Sequence, residues 1–116
     1  MDKIIGIKFA LETLRSESVQ FYNIEEGSKK LMRKYGIIFL GEKLNCIYSH
    51  ELCHALKNKF GLDIALFDLN AILPSVCRSL NMSCKPLHEN DLLDLVPFEY
   101  QINLLGNWLF GFIILI

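Results

Sequence analysis

The chain has little charge imbalance. Twelve Lys and Arg stand against thirteen Asp and Glu, for a net charge of −1. Nucleic-acid binders carry a basic surface, so that class is disfavoured. The one basic cluster, Lys29, Lys30, Arg33 and Lys34, reads as the solvated face of a helix. A secretory leader is also missing: Met1, Asp2 and Lys3 lead into an amphipathic segment and not an apolar signal core. A cytoplasmic setting is therefore expected, where thiols stay reduced. Cys46, Cys53, Cys77 and Cys84 are expected as free thiols, with Cys77 acting as a small buried hydrophobe. There is no paired C-x-x-C, no repeat, no low-complexity tract and no linker. No Lys or Arg follows Lys85, and no charge at all occurs over residues 102–116. That run is broken by Asn103, Gly106, Asn107 and Gly111, and it falls short of the roughly 20 residues that span a bilayer. A buried terminal strand or helix is expected there, or a surface through which copies of the chain associate.

What remains is a chain of 116 residues, 52% hydrophobic, the size and composition of one packed domain. Apolar spacing predicts a helix over residues 2–16 with Ile4, Ile5, Phe9, Leu11 and Leu14 on its apolar positions. A connector follows over 16–23. A second helix is expected over 25–35, capped by Gly36. Residues 37–40, Ile-Ile-Phe-Leu, form a run of strand formers. Residues 41–43 look like a turn. Residues 44–48 read as a second strand or the lead-in to a helix over 50–60, with Ser49 as its N-cap and Gly61 as its end. Residues 64–67 are a third strand candidate or an apolar turn. Asp68 or Asn70 is then placed to cap a helix through Leu80, with Pro74 awkward inside it and Asn81 closing it. Residues 83–88 read as loop or short strand, and 91–96 as a short helix ended by Pro97. The fold class expected is α/β in the broad sense, or α+β: a helix-rich domain of helices packed on a small sheet.

One run names a chemistry. His50-Glu51-Leu52-Cys53-His54 places two imidazoles one helical turn apart on the same face. Such a pair suits a single Zn²⁺, with Glu51 placed to take a proton from a metal-bound water. The uncharged flanks, Ile47-Tyr48 before and Ala55-Leu56 after, fit a helix bordering a core. A plainer reading is a solvated helix face that carries two histidines. A third is a closed structural zinc site made from Cys46, His50 and Cys53 with Cys84 and His88.

The order Gly36-Ile37-Ile38-Phe39, turn, Cys46 through Leu56 resembles the small zinc metallopeptidases of the ImmA/IrrE type, often carried by phages and conjugative elements. The resemblance covers about residues 25–60. It implies a helix before a short sheet, His50 and His54 as metal ligands, Glu51 as general base, and a third ligand from a later helix. Asp68, in Asp68-Leu69-Asn70-Ala71, is the counterpart for that ligand, with Glu89, Glu99 and His88 as other candidates. It further implies a protein substrate, in that family a repressor-type protein. Two other functions fit the residues: a small interaction or inhibitor protein without chemistry, and a helix-turn-helix module with residues 70–81 as recognition helix and Arg78 as its only base.

Overall fold

A computed structural model of the chain describes residues 2–87 and 97–106. Four helices pack on a three-stranded antiparallel sheet: α1 (Lys3–Phe21), α2 (Gly27–Tyr35), β1 (Cys46–Tyr48), α3 (Ser49–Lys59), α4 (Leu66–Ser79), β2 (Ser83–Leu87) and β3 (Glu99–Asn103). This is the helix-rich α+β arrangement expected. The helix expected over 91–96, the candidates His88 and Glu89, and the apolar stretch from 107 onward lie outside the described residues.

The helix α1 is longer than its first apolar residues indicate, and it faces another way. Its buried stripe is Ile7, Ala10, Leu11, Leu14 and Ser18, spaced three and four apart as one helical face requires. That phase continues through the expected connector, so the helix ends only at Phe21. Ile4, Ile5 and Phe9 fall off the stripe and are exposed. Asp2 caps the start, its carboxylate accepting from the Ile4 N–H at 2.9 Å. The second helix lies along α1 and is joined to it by side chains: Lys34 Nζ and Tyr35 Oη both donate to Glu17 Oε1, at 2.6 and 3.1 Å. Gly36 ends α2 at φ +68°, with its N–H donating to Met32 O at 2.7 Å. A β-carbon is strained in that left-handed conformation, so the predicted cap is the observed one.

Residues 37–40 do not form the expected strand. Ile37 and Phe39 are buried while Ile38 and Leu40 are exposed, the alternation of an extended segment. Only Leu40 pairs, in an isolated bridge with Cys46. Among the described residues the central strand is β3. It pairs with β1 through Ile47 opposite Ile102, and with β2 through Cys84 opposite Ile102. Residues directly opposite share a face, and successive residues alternate. Ile47, Ile102 and Cys84 therefore form one inward row, and Tyr100 and Leu104 extend the buried face of β3. Helices α3 and α4 cover that face with Leu52, Ala55, Leu56, Leu69, Leu73 and Val76 in one continuous core.

The third strand candidate is corrected too: residues 61–65 are a connector and Leu66 begins α4. Gly61, at φ +67°, ends α3 as expected. Neither Asp68 nor Asn70 caps α4, since both lie inside it and its cap, Ala65, offers no side-chain bond. Among the described residues, no helix is long and apolar enough to cross a membrane.

Candidate functional site

The site forms where β1 turns directly into α3. Tyr48 is still extended (φ −92°, ψ 153°), and the helix begins at the next residue. Ser49 was the expected N-cap, but it is inside the helix, fully buried, and otherwise engaged. Its Oγ accepts from the Tyr100 N–H of β3 at 2.8 Å. The capping work passes to Glu99, the first residue of β3. Its Oε1 accepts from the His50 N–H at 3.0 Å, answering one of the free N–H groups of the first turn.

The same carboxylate oxygen contacts the His50 ring at Nδ1. Two buried side chains hold the backbone on either side of Glu99. Ser49 takes the N–H of Tyr100, and the Asn70 Nδ2 of α4 donates to the carbonyl of Phe98 at 3.0 Å. Asn70 is only 3% exposed, so its bond to the start of β3 is shielded from water. The glutamate is thus delivered to His50 by α3 and α4 together. On the open side of His50, the Tyr48 ring stacks at 6.1 Å between centroids, 11° from parallel.

Glu51 lies on the other side of His50. Its Oε1 is 3.4 Å from His50 Nε2, and its Oε2 accepts from the Ile38 N–H at 3.2 Å. The carboxylate is mostly shielded, at 16% side-chain exposure against 54% for His50. One oxygen anchors the extended segment after α2, and the other faces the imidazole. An acceptor so placed can hold a proton beside His50, and it also serves as a structural tie.

His54 is exposed one turn further along α3. Its ring lies beside Asn58, whose Nδ2 is 3.1 Å from Nδ1 and 3.2 Å from Nε2, and which donates to His54 O at 3.1 Å. Gly36 backs the ring: a β-carbon there would sit 3.9 Å from His54 Nε2. Asp68 does not join the two histidines. It is exposed in the first turn of α4 while Leu69 and Asn70 take the buried positions beside it. Because α4 begins at Leu66, the inward phase falls one residue past the aspartate. Among the described residues, no three His, Cys, Asp or Glu side chains converge as a ligand set.

The donors nonetheless fit zinc in kind. Two imidazoles and one carboxylate are a set found in catalytic zinc sites, and here these are His50, His54 and Glu99. In place, Glu99 is engaged with His50 Nδ1, so a metal would be met by His50 through Nε2 with the carboxylate behind the ring. His54 fits only if its ring turns from Asn58 toward His50. The cysteine-rich alternative fits less well. Cys53 donates to the carbonyl of Ile64 at 3.2 Å and so ties α3 to the connector before α4. Burial, with the charge of Asp63, pushes its thiol pKa up against the opposing pull of Lys57, which keeps it protonated. Cys46 accepts from Gln101 Nε2 at 3.1 Å.

Glu99 is already legible in the sequence as one acidic candidate among several. Nothing local marks it, because its approach to His50 depends on β3 entering the sheet beside β1. Asn70 is legible as a polar residue near a helix start, and its actual task, holding Phe98, is a tertiary contact. No protein-family model matches the chain, and neither does any curated protein sequence or solved structure.

Proposed function

We propose that this chain is a small zinc-dependent metallopeptidase-like protein of the cytoplasm that acts on a protein substrate. His50, through Nε2, and His54 are its metal-holding residues, Glu99 is the carboxylate behind His50, and Glu51 is its proton acceptor. Glu99, and not Asp68, is the acidic partner of the histidine pair. The observation that carries the reading is the Glu99 carboxylate held against His50 by Ser49 and Asn70. The same carboxylate caps α3 at the His50 N–H, so it fixes the backbone and the ring of His50 together. A zinc ion, when bound, supplies Lewis acidity and brings the pKa of a water toward about 7. The chain's own residues do the rest. Glu99 orients the His50 ring through Nδ1, Glu51 takes and returns a proton at Oε1, and the Ile38 N–H fixes which oxygen of Glu51 is free. The extended segment at 37–40 borders the same carboxylate.

Metal content and turnover test this. The purified protein is expected to carry stoichiometric zinc. Glu51→Gln should keep the metal while lowering peptide hydrolysis by about 10²–10⁴-fold. Glu99→Gln should weaken zinc binding roughly 10–100-fold. A protein without zinc that tolerates His50→Ala in every assay would overturn the reading.

A second reading, a small interaction protein, is favoured by one feature of the surface. Ile5, Phe9, Phe60 and Leu62 line a groove of about 520 Å³ between α1 and the end of α3. Lys3 donates to the Asp63 carbonyl at its rim. Phe9 and Ile5 are each 65% exposed. Glu substitutions at Ile5 and Phe9 should abolish partner binding and leave zinc content unchanged, which separates the two readings. The helix-turn-helix reading loses support, because α3 and α4 are joined by a connector longer than the three or four residues of that motif.

A further inference from the structure

Two thiols outside this site meet where α4 hands the chain to β2. Cys77 closes the buried stripe of α4 and is 1% exposed. Cys84 is the second residue of β2, and its side chain points inward, opposite Ile102. The turn between them is short and held. Leu80 N–H and Met82 N–H both donate to Cys77 O, at 3.0 and 2.8 Å, and Asn81 reverses the chain at φ +59°. The two thiols lie close enough to perturb one another's ionisation.

Their surroundings divide them. The neighbouring Cys84 thiol, with burial, holds Cys77 in its protonated form. The Cys77 thiol and the nearby Arg78 cation favour the Cys84 thiolate, with burial opposing. Since β2 is an outer strand of the sheet, Cys84 sits at the margin of the core, half-buried. Cys84 is therefore the more accessible residue of the two and its thiolate the more favoured, while Cys77 is enclosed.

We propose that Cys77 and Cys84 form a dithiol–disulfide couple, with Cys84 attacking a small disulfide oxidant and Cys77 resolving the product. With oxidised glutathione, the Cys84 thiolate attacks one glutathione sulfur. A mixed disulfide forms and one glutathione leaves as thiolate. Cys77, giving up its proton, then attacks the Cys84 sulfur. The Cys77–Cys84 bond forms and the second glutathione leaves. Two protein thiols are oxidised, one glutathione disulfide is reduced to two thiols, and the two protons released are those the glutathione thiolates take up.

Neither remaining cysteine is placed to compete. Cys46 is paired with Asn103, one residue out of phase with the Ile102 row, so it lies on the opposite face of the sheet. Cys53 is tied to Ile64 O.

The test is to incubate the reduced, folded protein with oxidised glutathione, block the remaining thiols, and digest with trypsin without reduction. Cleavage after Arg78 separates Cys77 from Cys84, while Cys46 and Cys53 share another peptide. The expected result is loss of two thiols and a cross-link joining the Cys77 and Cys84 peptides. Cys77→Ala should stop at a glutathione adduct on Cys84, and Cys84→Ala should leave Cys77 unmodified. In urea the preference for this pair should vanish. Three results would overturn the proposal: a dominant cross-link through Cys46 or Cys53, Cys84 reacting no faster than Cys46 in the Cys77→Ala variant, or an unchanged cross-link in urea.

Discussion

A buried hydroxyl that accepts a backbone N–H leaves that N–H without a partner when it is removed, at a cost of about 1–3 kcal/mol. Ser49 is such a group, fully buried with the Tyr100 N–H on its Oγ. Ser49→Ala is expected to lower the unfolding free energy by about that amount, read as a lower urea midpoint at unchanged slope. Tyr35 gives a residue-scale prediction of a different kind. Burial, then its hydrogen bond to Glu17 and that carboxylate's charge, push its phenol from 10.0 up to about 12. The folded state thus favours the neutral form. The resulting stability is complete below the ordinary phenol pKa and is lost as pH rises through the folded one, between 10.0 and about 12. Tyr35→Phe should flatten that alkaline loss, as urea midpoints on either side of this window will show.

At the scale of elements, α4 contains its own weak point. Pro74 lies inside it and offers no N–H to the carbonyl of Asn70, four residues back. Pro74→Ala is expected to raise stability by about 1 kcal/mol, seen as a higher melting temperature. The helices were the legible part of the fold. Gly36 and Gly61 fall where apolar spacing stops, and both adopt the positive φ that ends a helix. Where the reading failed, tertiary contacts had overruled local ones. Ser49 has the side chain of an N-cap, but Glu99 takes the cap and Tyr100 takes the serine. The run at 37–40 is rich in strand formers, yet Glu51 engages its backbone at Ile38. β3 is only half legible: a buried strand or helix is expected from Ile102, but the uncharged stretch there masks the period of two that starts at Tyr100 and runs through Ile102 and Leu104. For the candidate site, the histidine pair and Glu51 could be read from one local motif, whereas the tasks of Glu99 and Asn70 could not, being set by contacts that span 49 and 28 residues of chain.

At the scale of the whole molecule, the sheet is assembled out of chain order. β3 sits between β1 and β2, and no pairing joins the outer two directly. A chain ending before Glu99 lacks the strand that both neighbours need, together with Tyr100, Ile102 and Leu104 of the core. Such a truncation is expected to lose cooperative unfolding and the near-ultraviolet dichroism of packed aromatic rings, while the helices keep part of their far-ultraviolet signal.

The attachment of α2 is of another sort. Among the described residues it rests mainly on α1, with the Glu17 tie between them, and the Tyr35 ring lies 6.2 Å from that of Phe60 and 6.3 Å from that of Phe39. Left-handed residues stand at both of its ends, Glu26 and Gly36. A segment moored at one flank can lift away while the sheet and its two covering helices stay shut. Its amide hydrogens then trade with deuterium ahead of those in α3 and α4, and the bonds beside Glu26 are where a protease gains its first cut.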